Sequence, residues 1–260
     1  MWKQIRNLFA FLSVLPFSMD MDCLTDSAKL MWMFPLVGAF LGLLAGVFGW
    51  AMGFVLPNLI VGALSLGVLL FLTGLHHTDG LLDFGDAVMC HGSAERKIEV
   101  MHDQLTGAGA IGLGVMTYLV TALAFVSLAS YGNTFSVGFF CIPLIVSGLI
   151  VVELGAKLSM VTATWAGKAV HKGMNSPFMD AMHGSNSSLR LAAALALSFI
   201  VAVPLLGVAG FAAVLSAVLA GLLMVAIAHR HFGGVTGDVL GATNEIVRMV
   251  CVVVLLAVLK

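Results

Sequence analysis

Charge is scarce in this chain. Only 12 Lys and Arg and 13 Asp and Glu occur among 260 residues, so about one position in ten is formally charged. Soluble domains carry about 25% charged residues, and so few charges cannot cover a water-facing surface. A soluble globule is therefore excluded. Cysteine is scarce too. Cys23, Cys90, Cys141 and Cys251 stand far apart, matching no CxxC or zinc spacing and no disulfide framework. The net charge of −1 creates no basic field, so nothing points to nucleic acid. Disorder needs low hydrophobicity and collagen needs a glycine period. Neither fits a chain that is 60% apolar with a mean hydropathy of +1.08. What remains is an all-α, polytopic membrane protein.

Runs of about 20 apolar residues mark the spans. Trp32 to Leu56 and Leu59 to Leu75 form a first pair around Pro57-Asn58, and Ala108 to Ala129 and Phe135 to Lys157 a second around Gly132-Asn133. Leu191 to Leu206 and Gly210 to Ala228 form a third around Pro204 and Gly207, and a last run ends at Leu259. That last run starts near Val239 and carries Thr243, Asn244 and Glu245 on an inward face. Seven helices result, in one membrane domain over residues 1–260. Ahead of them, Lys3 and Arg6 precede Leu8, Phe9, Phe11, Leu12 and Leu15. This resembles a signal peptide, but no small-x-small cleavage site follows, so the reading is a retained amphipathic helix in the interface.

Three polar segments, His76 to Gly107, Ser159 to Arg190 and His229 to Glu245, fall on one side together with the N-terminus. The basic residues agree: Lys3, Arg6, Lys29, Arg96, Lys97, Lys168, Lys172, Arg190 and Arg230 share that side, and Lys260 is opposite. By the positive-inside rule this side is cytoplasmic, in a prokaryotic cytoplasmic membrane.

Between Lys29 and Arg96 no basic residue occurs, yet Asp79, Asp83 and Asp86 sit there at i, i+4 and i+7. On a helix they share a face and repel. Near a bilayer such a trio needs protons or a counter-charge, and an all-oxygen donor set suits Mg²⁺ or Mn²⁺. A solvated acidic helix end is the plainer reading; Leu81, Leu82 and Phe84, which set the helix against the membrane domain, favour the metal. His76 and His77 adjoin the trio, either to bind phosphate or shuttle a proton, or as interfacial histidines without a ligand role. Ser93 predicts an N-cap for a helix over Ala94 to Leu105. Its Glu99 and Asp103 form a second carboxylate pair that could face the first, or an ordinary charged surface.

Gly233-Gly234-Val235-Thr236-Gly237-Asp238 opens the last helix. Such a loop offers backbone amides to phosphate, although a glycine-rich loop alone is a weak signal. Lys168 and Lys172 could hold a phosphate or could simply set topology. Glu153 and Lys157, at i and i+4, read as a self-neutralising buried pair or a substrate-facing one.

Taken together these motifs resemble the cobalamin synthase (adenosylcobinamide-GDP ribazoletransferase) family. His77-x-Asp79-Gly80-Leu81-x-Asp83-x-x-Asp86 is similar to its H-x-D-G-[LF]-x-D-x-x-D core. Glu99-Val100-Met101-His102-Asp103 is similar to its acidic second segment, and Gly234-x-Thr236-Gly237-Asp238-x-x-Gly241-Ala242 to its C-terminal signature. The resemblance implies a phosphoryl transfer in which a ribose hydroxyl of α-ribazole, or of its 5′-phosphate, attacks adenosylcobinamide-GDP and GMP leaves. It implies Mg²⁺ held by Asp79, Asp83, Asp86, Glu99, Asp103 and Asp238. A proton-accepting role falls to Asp86, with Asp83 and His77 beside it, and phosphate contacts to Gly234, Thr236, Gly237, His76, Lys168 and Lys172. Membrane lipid is the surrounding partner, and a homo-oligomer is left open. Two other readings remain. A CDP-alcohol phosphotransferase uses several aspartates similarly, but its D-x-x-D-G-x-x-A-R arrangement is absent. A cation-coupled transporter places acids near the midplane of broken helices, whereas these gather at one face.

Overall fold

In hydrocarbon every backbone N–H and C=O has to be paired within its own segment, which makes long apolar runs helical. A computed structural model describes residues 1–131, 142–171, 173 and 175–260. Among these residues there are α-helices and no β-sheet: α1 (Trp2–Leu12), α2 (Cys23–Lys29), α3 (Phe34–Met52, after a 3-10 turn at Met31–Met33), α4 (Asn58–Leu72), α5 (His76–Met89), α6 (Ala94–Met101), α7 (Ala108–Ser130), α8 (Leu144–Ala166), α9 (Ser176–His183), α10 (Ser187–Phe232) and α11 (Gly237–Leu259).

Five helical stretches are long and apolar enough to cross a membrane: Met31–Met52, α7, α8, α10 and α11. The α4–α5 pair supplies another crossing, with α5 turned 97° from α4; α4 carries the apolar length and α5 runs across the end of the bundle. A straight helix of 46 residues would measure about 69 Å against a hydrocarbon core of about 30 Å, yet α10 has that many. The chain reverses inside it. Gly207 has φ 56° and ψ −130°, and Gly210 lies against the backbone of Ala202, so α10 is two legs of a hairpin. Counting both legs, and the bent pair as one broken span, the described residues supply helices for the seven crossings read from hydropathy. The expected turn at Gly132-Asn133, the start of the run at Phe135, and Cys141 lie outside the described residues.

α8 is the axis of the bundle, with 94% of its apolar window buried. Gly38, Gly42 and Gly46, one turn apart on α3, lie against the α8 backbone at Glu153, Leu149 and Val146; without side chains there, the helices approach closely, as small-residue stripes allow in membranes. α8 also runs further than hydropathy suggests. Ser159, Thr162 and Thr164 are buried and donate to the carbonyls of Ala156, Leu158 and Met160, which hides their polarity within the helix. Lys157 is therefore interior, not at a helix end.

This placement corrects the expected Glu153–Lys157 pair. Glu153 accepts from Arg248, which also donates to Glu245. Lys157 Nζ donates to Asn244 Oδ1 at 2.7 Å, and Asn244 Nδ2 donates to Glu245 Oε1 at 3.0 Å. All five side chains are buried. Two acids and two bases cancel, so the cluster ties α8 to α11 without net charge. The expected inward face of Thr243, Asn244 and Glu245 is present.

At one end of the bundle the polar segments meet. α1 buries Leu8 and Leu12 and exposes Trp2, as an amphipathic helix should. It is tied to α2 by Asn7 Nδ2 donating to Asp26 Oδ2 at 3.0 Å. Phe11 stacks on Phe178 of α9, and Val14 N donates to Leu72 O at 2.8 Å. Val235 N donates to Lys168 O at 2.7 Å on the same end.

Candidate active site

The site begins with a turn. Gly74 and Leu75 have φ of 64° and 60°, a left-handed pair in which the leucine is the uncommon member. Together they swing α5 off the axis of α4. α5 then splits by face: His77, Gly80, Leu81, Phe84, Gly85 and Ala87 are buried, whereas Asp79, Asp83 and Asp86 are not. The one-face reading of the trio follows directly from this period.

A cleft of about 320 Å³ lies along that face, lined by Asp79, Asp83, Asp86 and Asp103 together with Leu82, Met101, His102, Leu105 and Ala110. Among the described residues no Lys or Arg lines it. Burial, then the charges of Asp79, Asp238 and Asp86, push the Asp83 carboxyl up to about 7. Removing water and adding like charges both disfavour the carboxylate, so this group registers the uncompensated acidity of the cleft.

Glycines bring the remaining acid in. A Cβ on Gly80 would lie 2.8 Å from Asp238 O, and one on Gly241 would lie 3.3 Å from the His77 Cα. The helices α5 and α11 thus cross backbone to backbone, and Asp238 comes near Asp79 and Asp83 although it does not line the cleft. These motif glycines have a packing reason that the pattern alone did not reveal. Gly80→Ala should force the crossing apart, at about 1–3 kcal/mol of overpacking. The expected result is an activity loss on the order of 10²-fold from misplaced acids with the protein still in the membrane fraction; an unaltered rate would show that the close crossing is unimportant.

Asp86 is committed differently. Its Oδ2 accepts from Gly107 N at 2.6 Å and its Oδ1 from Ala110 N at 2.9 Å. The N-cap of α7 is Gly107, which has no side chain to cap with, so Asp86 caps α7 from another helix. Both oxygens hold amides, which commits the carboxylate to the start of α7.

The structure does not bring every expected residue to the cleft. Glu99 is exposed and pairs with Arg96 at 2.9 Å, because i,i+3 neighbours on a short surface helix meet more readily than residues across a loop. His77 is buried on the inward face with Nδ1 unpartnered. His76 is exposed, with its ring beside Gly74. Gly234 is buried against the Lys168 carbonyl, and Thr236 caps α11 through Val239 N at 3.2 Å, so of these three expected phosphate contacts Gly237 alone is open. Lys168 is exposed, its N–H donating to His229 Nε2 at 3.1 Å. Lys172 lies outside the described residues. His102, which the sequence offered only as a letter of the acidic second segment, lines the cleft.

Among the described residues no three His, Cys, Asp or Glu side chains form a ready metal cluster. Asp79, Asp238 and Asp86 are close enough to act on Asp83, and the acids are too far apart to cage one ion alone. That donor set suits Mg²⁺, which keeps its waters and binds through one or two carboxylates plus substrate phosphate oxygens.

A profile of the family described as cobalamin-5-phosphate synthase matches residues 4–256. The chain belongs to that family. Among its relatives, the adenosylcobinamide-GDP ribazoletransferase of Methanococcoides burtonii is 32% identical over 251 residues, covering 96% of this chain and 90% of the relative. The enzymes of the same name from Methanosarcina mazei and Thermococcus kodakarensis are 30% and 31% identical, covering 98% and 96% of this chain and 92% and 97% of the relatives. No solved structure matches. The resemblance carried by the motifs is thereby borne out. In this chain the two most specific motifs, one on α5 and one opening α11, are the two that cross at Gly80 and Gly241.

Proposed function

We propose that the protein joins adenosylcobinamide-GDP to α-ribazole or its 5′-phosphate, releasing GMP, with Mg²⁺ as its cofactor. The observation that carries this reading is the acidic cleft, lined among the described residues by four aspartates and no Lys or Arg, built where both family motifs meet. Asp79, Asp83 and Asp103 would hold the metal, with Asp238 adjacent; Asp86 and Glu99 are engaged elsewhere. Bound Mg²⁺ would neutralise charge on the pyrophosphate as the phosphorus is attacked. Asp83, which lines the cleft between Asp79 and Asp86 on the unburied face of α5, accepts the proton of the attacking hydroxyl. Asp86 keeps the rim of the cleft fixed by anchoring the start of α7. Leu82, Leu105 and Ala110 give the cleft an apolar wall suited to the less polar parts of a large substrate. The clustering of Lys3, Arg6, Lys97, Lys168 and Arg230 toward the same end supports a cytoplasmic active face.

The test is formation of cobalamin, or its phosphate, from adenosylcobinamide-GDP and α-ribazole by the purified protein in detergent. Product is expected with Mg²⁺ and none in EDTA, with recovery when Mg²⁺ is restored. Full turnover in EDTA would remove the metal from the reading. Absence of product under every condition would remove the reaction. A transporter would need sealed vesicles and would give no product in detergent.

A further inference from the structure

We propose that a cationic ledge beside the acidic cleft binds the phosphate of the departing nucleotide; this rests on the transfer reading above. The ledge is made of Lys97 on α6, Lys168 after α8, and Arg230 with its flanking histidines at the end of α10. Lys97 Nζ lies 2.8 Å from His231 Nδ1, and the Lys168 amide is held by His229 Nε2. The chain at Lys168 is fixed in turn by Val235 N, two residues before α11 opens.

What singles out this patch is how its charges are partnered. Among the described residues, Lys3, Arg6, Arg96 and Arg248 face carboxylates. Lys157 donates to Asn244 and Arg190 to the Ala181 carbonyl. Lys97, Lys168 and Arg230, like Lys29 and Lys260 elsewhere, form no salt bridge among these residues; Lys97 and Arg230 both act on the His231 ring, and the chain at Lys168 is held beside it by His229. A neutral imidazole orients the Lys97 ammonium without cancelling its charge, so the ledge stays positive while Lys97 keeps its geometry. Such a surface suits a dianionic phosphate monoester.

The ledge also adjoins the chemistry. His102, one turn beyond Lys97 and Ile98, lines the cleft, and its ring centroid lies 5.9 Å from that of His171. Thr236 Oγ1 meets Met101 Sδ at 3.3 Å, closing the gap between α6 and the start of α11. The substrate's pyrophosphate can then lie with one phosphorus at the acids and the other toward the ledge. In the transfer, the hydroxyl oxygen bonds the cobinamide-side phosphorus and its proton goes to a cleft carboxylate. The bond from that phosphorus to the bridging oxygen breaks, and its electron pair stays on that oxygen, now a terminal oxygen of GMP. Charge develops on the ledge side, where cations stabilise it. The ligand class is a nucleoside monophosphate held by its phosphate.

The experiment uses the full-length protein in phosphatidylcholine nanodiscs, with GMP as the probe, in parent, Lys97→Met and Arg230→Met. Both variants should weaken GMP binding by titration calorimetry, and GMP inhibition of transfer, by about tenfold or more. Guanosine should bind all three proteins alike, and melting temperatures should match. Transfer by the parent with GMP affinity unchanged in both variants would overturn the ledge while leaving the reaction intact. No transfer by the parent would instead overturn the reaction, whatever GMP does. If the variants lose affinity for phosphatidylglycerol and not for GMP, the cations serve a lipid headgroup and the proposal fails.

Discussion

Asp83→Asn is expected to lower transfer by about 10²–10⁴-fold, the range contributed by a positioned proton acceptor, and to leave the protein at least as stable as before. The two halves of that result come from one cause. Asp83 lines the cleft and sits among Asp79, Asp86 and Asp238, whose charges help push its carboxyl up to about 7. Asparagine keeps the shape and removes one member of a mutually repelling set, so folding has nothing to lose. Activity loses both a proton acceptor and a metal oxygen. Transfer assays and thermal melts in detergent check it together. An active variant sinks the catalytic role, and an unfolded one shows that the residue is structural. Asp86→Ala gives a contrasting loss, since it strips the cap from α7 and should lower the melting temperature as well as the rate.

Arg248→Met is expected to be the most damaging single change to stability. Glu153 and Glu245 both rely on that guanidinium, and all three are buried. Removing one partner from a buried ionic group costs about 3–5 kcal/mol, because the other charges remain uncompensated. Replacing the whole set should be far milder, since buried ion pairs often contribute little beyond well-packed apolar groups. Arg248→Met combined with Lys157→Met, Glu153→Gln and Glu245→Gln, which removes two acids and two bases together, should therefore recover most of the lost melting temperature in detergent. A single variant that melts like the parent would mean that water reaches the cluster. A fourfold variant worse than the single would mean that the charges themselves hold α8 to α11.

The spans were legible because hydropathy is a property of each run by itself. Val239 to Leu259 differs from α11 by two residues, and Ala108 to Ala129 from α7 by one. Gly207 was legible as the reversal of α10 for the same local reason. Asp79, Asp83 and Asp86 were legible as one face through helical period. Partnerships across the fold were not. Glu153 finds Arg248 95 positions away, and no periodicity encodes that, whereas Lys157 at i+4 was the pair that local spacing offered. Asp86 looked like its two neighbours in sequence, but α7 begins at a residue without a side chain and takes its cap from α5. Gly80 and Gly241 were read as motif letters, and only the crossing of the two helices shows what a side chain there would strike. Ser159 looked like the start of a polar loop because a hydroxyl that donates back into its own helix is indistinguishable, by letter, from one that faces water.

The meeting of Asp238 with α5 also bears on how the protein is made. Residues 90–236 separate the end of α5 from the start of α11. While the ribosome is still adding them, α5 is already at the membrane with its acids unmatched by Asp238. Gly80 has nothing against it, and the cleft lacks the wall that α11 braces through Thr236. The arrangement of α5 against α11 therefore exists only once the last helix has been made, although every residue that lines the cleft lies within residues 79–110.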